Sequence, residues 1–333
     1  MRPFGYVLAG DVGEAVAAAA AGGPGTRFLG GGTTLYDLMK LGVESPAALV
    51  DVSRIPELAV IDASAPDELV IGAAARMADV AEHPGVARRH PALAASLAKA
   101  ASQQIRTMAT VGGNLLQRTR CPYFRRTDLP CEKREPGSGC AARGGLDRSS
   151  AVLGTGAACS AAYPGDWAVA LLAFDGVIET ASPRGRRTVP VADLHREPGD
   201  TPRHDHVLAR DELIVAIRVP VTAAARASVF HKVRDRESYA FALASAAAGL
   251  AFDGPAVAAA HLAVGGLATR PWRSREAENL LVGRPLTAAS ARAAGEALLA
   301  GAVPGRANGF KIELGVRTVA GALLAAAGKA GRR

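Results

Sequence analysis

The sequence predicts a two-domain protein of mixed helices and strands, and three observations support this prediction. Short apolar runs of strand character alternate with helical patterns up to about residue 220. The composition changes near residues 221–228, so we predict one domain over residues 1–222 and a second over residues 223–333. A segment from about 118 to 160 is rich in charge, Pro and Gly, and its apolar residues follow neither the helical nor the strand period. This indicates a functional insertion in the first domain.

Apolar runs bounded by Gly, Pro or Asp predict the strands, and apolar residues at helical spacing predict the helices. Gly22 and Gly42 end helices, and Pro91 begins one. In the first domain the predicted strands are residues 27–29, 48–52, 58–62, 68–73, 177–180, 188–191 and 212–219, and the predicted helices are residues 14–21, 35–41, 77–81, 91–102 and 167–174. In the second domain the predicted strands are residues 229–234 and 257–264, and the predicted helices are residues 273–282, 288–299 and 310–327.

The composition narrows the classes of function. The net charge is +8, but the arginines are scattered, so we favour a solvated basic surface over a nucleic-acid site and keep an anionic partner as a third alternative. Aromatic residues make up only 5% of the chain, which argues against a stacking platform for single-stranded nucleic acid. No apolar run reaches the roughly 18–20 residues that a membrane span needs, so we expect no direct insertion into a membrane.

The N-terminal residues do not have the pattern of a secretory signal. Asp11 and Glu14 interrupt the apolar stretch of residues 1–23, and no basic region precedes an unbroken apolar one. We therefore expect that the chain has no signal peptide of its own. By itself it is expected to be cytoplasmic, unless a partner carries it across a membrane.

All four cysteines fall between residues 121 and 159, which is unusual for so long a chain. No C-x2-C spacing is present, so a zinc ribbon and a bacterial-ferredoxin loop both match poorly. Glycines at 137 and 139 allow main-chain amides to approach sulfur, and basic residues of the same segment (Arg118, Arg120, Arg125, Arg126, Lys133, Arg134) would compensate thiolates. We favour a cluster or metal site, with disulfides or inert thiols as the open alternative.

Two glycine-rich loops have the pattern of phosphate cradles. Residues 30–34 (GGGTT) follow a predicted strand and open a predicted helix, a geometry that offers backbone amides to a phosphate. They match neither the P-loop nor the G-x-G-x-x-G fingerprint, and a turn that merely needs glycine is the alternative. Residues 110–114 (TVGGN) form a second loop of this kind. Two such loops in one domain indicate a pyrophosphate, and therefore a dinucleotide.

At this point the sequence resembles a known family. Residues 28–35 (FLGGGTTL) with residues 110–114 are similar to the FAD-binding medium subunits of the molybdenum hydroxylases, which include xanthine dehydrogenase, carbon monoxide dehydrogenase and aldehyde oxidoreductases. The resemblance continues through residues 164–171, 211–214, 230–234, 261–266 and 270–272. Residues 117–125 and 131–142 resemble a branch of the family, the FAD subunits of periplasmic aldehyde oxidoreductases, in which an inserted loop binds a [4Fe–4S] cluster.

The resemblance implies a fold and a set of ligands. The fold is α+β, with the two-subdomain FAD-binding arrangement of the vanillyl-alcohol oxidase type followed by a C-terminal α+β domain. The residues that would contact FAD are Phe28, Leu29, Gly30, Gly31, Gly32, Thr33, Thr34, Leu35, Thr110, Gly112, Gly113, Asn114, Asp166, Ile214 and Lys232. The cluster ligands would be Cys121, Cys131, Cys140 and Cys159. Without the resemblance, Asp166 would be interpreted as a helix cap and Lys232 as a surface lysine.

The resemblance also implies a role in electron transfer. A large subunit with the molybdenum cofactor would oxidise an aldehyde, a small [2Fe–2S] subunit would pass the electrons to FAD in this chain, and FAD would reduce an external acceptor. The relatives suggest co-export to the periplasm, with a cytoplasmic complex as the alternative. The seven histidines suggest no catalytic group, and we interpret His204 and His206 as solvated.

Three other interpretations remain open. In the first, the chain is the medium subunit of another molybdenum hydroxylase, of the xanthine or hydroxybenzoyl-CoA type. In the second, it is a free-standing flavin oxidase. In the third, it is a non-catalytic module that holds a cluster or zinc.

Overall fold

The computed structural model describes residues 1–331, which form three β-sheets covered by helices. The strands are β1 (Gly5–Leu8), β2 (Thr26–Leu29), β3 (Ala48–Asp51), β4 (Ile61–Asp62), β5 (Glu68–Gly72), β6 (Val177–Ser182), β7 (Gly185–Pro190), β8 (Leu213–Pro220), β9 (Val229–Val233), β10 (Ala244–Asp253), β11 (Ala256–Gly265) and β12 (Trp272–Arg273). The helices are α1 (Val12–Ala21), α2 (Leu35–Lys40), α3 (Met77–Glu82), α4 (Pro84–Arg89), α5 (Pro91–Ala98), α6 (Gln103–Arg106), α7 (Val111–Leu115), α8 (Trp167–Ala173), α9 (Val191–Leu194), α10 (Ala223–Arg226), α11 (Arg275–Asn279), α12 (Ala288–Leu298) and α13 (Phe310–Ala330).

The first sheet is small and parallel, with the strand order β1-β3-β2. Helix α1 connects β1 to β2, and the Asp11 carboxylate caps it by accepting a hydrogen bond from Glu14 N at 2.8 Å. Its apolar face, which includes Val12 and Val16, packs in one core with Val50 of the central strand. The first glycine-rich loop therefore leaves β2 at the edge of this sheet and runs directly into α2.

The second sheet is antiparallel, with the order β4-β5-β8-β6-β7. It pairs strands from before and after the segment of residues 118–160, so that segment is an insertion between parts of one sheet. Helix α8 is buried along its whole length, and Trp167 packs in one core with Leu69 and Ile71 of β5. Together, the first two sheets form the part of the chain that carries both glycine-rich loops.

The third sheet, β12-β11-β10-β9, is antiparallel and packs against α12 and α13. Sequence analysis did not predict β10, because alanine favours strands weakly. The strand is nevertheless almost completely buried between α13 on one side and α8 and α10 on the other. A Cβ at Gly249 would lie 2.5 Å from Ala224 O and 2.7 Å from Phe174 Cε1, so only small residues fit here.

The predicted mixture of helices and strands is confirmed, with differences at the ends of elements. Residue 191 begins α9, whereas the sequence placed it in a strand. The short elements β1, α4, α6, α7 and α10 were not predicted, because segments of four to six residues show too little periodicity. No helix within residues 1–331 is long and apolar enough to cross a membrane.

A buried ion pair joins the third sheet to the end of α8. Glu278, whose side chain is 4% exposed, accepts hydrogen bonds from Arg273 Nε at 2.7 Å and from Leu262 N at 2.7 Å. Arg273 also donates to Leu172 O at 2.5 Å and pairs with Asp175 at 2.9 Å. Since the Arg273 and Glu278 side chains are hidden from water, each of these two charges depends on the other, whereas Asp175 is half-exposed.

We expect Glu278→Ala to lower the free energy of unfolding by about 3–5 kcal/mol, because it leaves the buried Arg273 guanidinium without its main counter-charge. Urea denaturation checks this. Glu313→Ala is the matched control, since Glu313 also binds two arginines but is exposed to solvent, and its loss should have a much smaller effect. Equal effects of the two substitutions would contradict the assigned role of Glu278.

Candidate functional site

A cavity of about 1200 Å³ opens beside both glycine-rich loops and extends to β9. Every residue that the sequence predicted to contact FAD lines this cavity, from residues 28–35 and 110–114 to Asp166, Ile214 and Lys232. The volume exceeds the roughly 300–1000 Å³ typical of small-ligand pockets, and so suits a dinucleotide. Residues more than 200 positions apart are thus brought to one site.

The two glycine-rich loops pack directly against each other. A Cβ at Gly31 would lie 2.6 Å from the carbonyl carbon of Met108 and 2.8 Å from Ala109 Cα, and a Cβ at Gly30 would lie 2.6 Å from Thr110 Oγ1. Gly32 has a φ of +72°, which non-glycine residues rarely adopt. Glycine is therefore required here by close approach as well as by backbone conformation.

Unpartnered polar atoms also face this space. Asn114 Oδ1, Arg120 Nε and His206 Nδ1 are buried and have no hydrogen-bond partner within residues 1–331, and all three residues line the cavity. Buried polar groups are almost always satisfied, so these atoms fit a polar ligand that the protein chain does not itself supply.

Asp166 and Lys232 form a buried ion pair at the end of the cavity nearest the third sheet. Their side chains are 4% and 1% exposed, and Lys232 Nζ lies 2.6 Å from Asp166 Oδ2 and donates to Lys99 O at 3.0 Å. Burial raises the pKa of Asp166, and the charge of Lys232 opposes this rise. Asp166 occupies the N-cap position of α8 but makes no capping hydrogen bond. The interpretations as a helix cap and a surface lysine are both wrong.

The arginines of the insertion have a different role from the one predicted. Arg120 and Arg125 bind Asp37 of α2 at 3.2 and 2.7 Å, and Arg118 binds both Glu44 and Asp205. These side chains attach the insertion to the rim of the large cavity. They are engaged by carboxylates, so they do not compensate the cysteines.

The four cysteines line a second, smaller cavity, together with Phe124 and Lys133. All four are described residues with free thiols, so the alternative of two disulfides is contradicted. Cys131 and Cys140 face each other across an isolated antiparallel bridge. Within residues 1–331 no three His, Cys, Asp or Glu side chains lie close enough to hold a single metal ion. The cysteines thus surround a space and do not converge on one point.

Burial affects the ionisation of two of these thiols. It raises the pKa of Cys121 to about 11, although hydrogen bonds from the backbone N–H groups of Phe124 and Tyr123 favour the thiolate, and it also raises the pKa of Cys159. The Lys133 ammonium and the backbone N–H of Ala161, at 3.4 Å from Cys159 Sγ, oppose the shift at Cys159. A reactive cysteine would need a lowered pKa, so Cys121 and Cys159 do not have the environment of nucleophiles.

Residues 203–206, at the end of a loop that begins at His195, line the large cavity. His195 is buried, donates from Nε2 to Leu115 O at 2.9 Å, and has its pKa lowered to about 4 by burial. His206 opposes it in an isolated bridge and lines the large cavity. The interpretation of His206 as solvated is wrong, whereas His204 is exposed. The basic residues Arg27, Arg203 and Arg210, which no motif marked, also line the cavity.

The sequence is similar to those of known proteins along nearly its whole length. Residues 2–222 match the family described as the FAD binding domain in molybdopterin dehydrogenase, and residues 228–326 match the CO dehydrogenase flavoprotein C-terminal domain. The aldehyde oxidoreductase FAD-binding subunit PaoB of Escherichia coli (strain K12) is 43% identical over 333 residues, which cover 99% of this chain and 100% of that protein. The carbon monoxide dehydrogenase medium chain of Hydrogenophaga pseudoflava is 28% identical, over 89% of this chain and 86% of that protein.

Solved structures agree with the sequence matches. Carbon monoxide dehydrogenase from Hydrogenophaga pseudoflava, in a form that lacks the Mo-pyranopterin moiety, superimposes with a TM-score of 0.77 at 27% identity and covers 99% of both chains. Quinoline 2-oxidoreductase from Pseudomonas putida 86 has the same fold, with a TM-score of 0.76 at 23% identity over 99% of both chains. The chain therefore belongs to the family of FAD-binding subunits of the molybdopterin dehydrogenases, and it is a flavoprotein subunit of an oxidoreductase complex of the aldehyde oxidoreductase and carbon monoxide dehydrogenase type.

Proposed function

We propose that this chain is the electron-transfer subunit of a molybdenum-dependent aldehyde oxidoreductase and holds both FAD and a [4Fe–4S] cluster. The observation that carries the proposal is the pair of adjoining cavities, one lined by both glycine-rich loops and the other by all four cysteines. The 43% identity to an aldehyde oxidoreductase subunit, against 28% to a carbon monoxide dehydrogenase medium chain, favours aldehyde oxidation over the alternatives.

The residues of the large cavity fit FAD. Backbone amides of residues 30–34 and 110–114 would bind its pyrophosphate, and the glycines allow the two loops to approach each other closely enough to bind it together. Ile214, Asp166 and Lys232 would position the rest of the cofactor, with the Lys232 ammonium fixed by Asp166 and Lys99 O. FAD supplies the two-electron chemistry, whereas these side chains orient it and exclude water.

The residues of the small cavity are of the type that ligates a cluster. Cys121, Cys131, Cys140 and Cys159 border one space, and backbone N–H groups approach Cys121 and Cys159 as they do around cluster ligands. The cluster supplies one-electron transfer, and the chain's own residues set its solvation and its surrounding charge.

The names of the relatives support a proposal for the partners. Two relatives are named as medium chains, and we propose that this chain assembles with a molybdenum cofactor-binding large subunit and a [2Fe–2S] small subunit. We also propose domains over residues 1–222 and 223–333, with the two-subdomain arrangement of the vanillyl-alcohol oxidase type in the first. We also predict that the chain is exported to the periplasm together with a partner, or that the complex lies in the cytoplasm.

The Gly31→Ala substitution should reduce bound FAD by at least about tenfold at limiting cofactor, a loss of about 1.4 kcal/mol in binding, because the added methyl group pushes the two loops apart. The flavin absorbance of the purified protein measures this. Gly301→Ala is the matched control, since a Cβ at Gly301 meets nothing within 4 Å. Full FAD content in the Gly31 variant would contradict the assignment of this loop.

The proposal as a whole is tested by iron, sulfide and FAD analysis of anaerobically purified protein. We expect about four iron atoms, four sulfides and one FAD per chain, since four cysteines ligate a [4Fe–4S] cluster. Cys140→Ser should lower iron and sulfide and leave FAD bound, because Cys140 does not line the large cavity. FAD without iron would reduce the cysteine segment to a structural element, and stoichiometric zinc in place of iron would refute the cluster.

A further inference from the structure

Lys133 occupies the wall between the two cavities. It is the only lysine or arginine within residues 1–331 that lines the cysteine cavity, and it also lines the large cavity. The residue is 7% exposed. Its ammonium donates to Pro202 O at 2.7 Å and pairs with the Asp205 carboxylate. A positive charge is therefore held at a fixed place between the two proposed cofactors.

Four arginines of the insertion are engaged elsewhere. Arg120 and Arg125 bind Asp37, and Arg126 pairs with Asp128 at a position where its side chain is 63% exposed. Arg134 donates to the backbone carbonyls of Tyr123, Phe124 and Leu129. Lys133, by contrast, lines the space that the sulfur atoms border.

Asp205 holds Lys133 in place and moderates its charge. The second carboxylate oxygen of Asp205 accepts from Arg118 Nε at 2.8 Å, and Arg118 Nη1 lies 2.7 Å from Glu44 Oε1. Burial of Asp205 favours its neutral form, but Lys133 and Arg118 outweigh this and lower the pKa of Asp205. The carboxylate therefore remains charged beside Lys133 at neutral pH.

A buried charge acts strongly on a neighbouring redox centre, because little water screens it. An iron–sulfur cluster gains one negative charge on reduction, so a nearby ammonium stabilises the reduced form and raises the midpoint potential. A carboxylate next to the ammonium has the opposite effect. Lys133 and Asp205 should consequently act on the cluster with opposite signs.

We propose that Lys133, held by Asp205, sets the midpoint potential of the cluster relative to that of the flavin, and so determines how electrons are distributed between the two cofactors. This inference rests on the proposed function, since it requires both cofactors in this chain. The proposed role of Lys133 is that of a fixed charge.

The test compares midpoint potentials in the purified holoprotein, with the cluster followed by electron paramagnetic resonance and the flavin by absorbance at one pH. Lys133→Met should shift the cluster to a more negative potential, by more than it shifts the flavin, and Lys133→Arg should restore most of the wild-type value. Asp205→Asn should shift the cluster to a more positive potential. Arg126→Met removes a charge from the same segment where water screens it, and should leave the cluster unchanged.

The outcomes separate this inference from the proposed function. Wild-type protein that contains FAD but no iron would refute the cluster and this inference together. A cluster whose potential is the same in the Lys133→Met and Arg126→Met variants would overturn the inference alone, as would shifts of the same sign for Lys133→Met and Asp205→Asn. If Lys133→Met fails to retain its cluster, the sign of the Asp205→Asn shift decides.

Discussion

The close approach of the two glycine-rich loops is the constraint on which the rest of the site depends. Gly31 lies so near the backbone of residues 108–109 that a single methyl group does not fit between them. This contact links the loop that follows β2 of the first sheet to the segment that precedes α7. The large cavity is lined by both of these loops, so their contact fixes one of its walls.

The insertion of residues 118–160 is built around two kinds of surface. On one side, arginines bind carboxylates in and near α2, as in the pairing of Arg125 with Asp37 at 2.7 Å. On the other side, sulfur atoms and Phe124 form a small buried core with Leu38. Long loops that lack helices and strands need such anchors to remain ordered, because their backbone gains few hydrogen bonds of its own. Ion pairs at the rim thus hold the cysteines in a common space.

The sequence predicted those parts of the site that are encoded by neighbouring residues. The glycine-rich loops and the cysteine segment belong to this class, because close backbone approach and thiol ligation each require one residue type at short spacing. The environment of Lys232 was recoverable only through family resemblance, since its partner Asp166 is 66 positions away. Strand β10 was missed because its alanines reflect packing between α13 and α8, and burial on both faces removes the alternation that marks a strand.

Several of the chain's arginines line the large cavity and lie close to one another. Burial lowers the pKa of Arg27, whereas the Glu44 carboxylate raises it. The nearby guanidiniums of Arg210, Arg118 and Arg203 lower this pKa further. Like charges gathered at one end of a cavity repel each other unless an anion lies among them. The phosphates of a dinucleotide would supply that anion. The arginines that line this cavity therefore fit an anionic cofactor, whereas others, such as Arg184, are exposed and pair with carboxylates outside it.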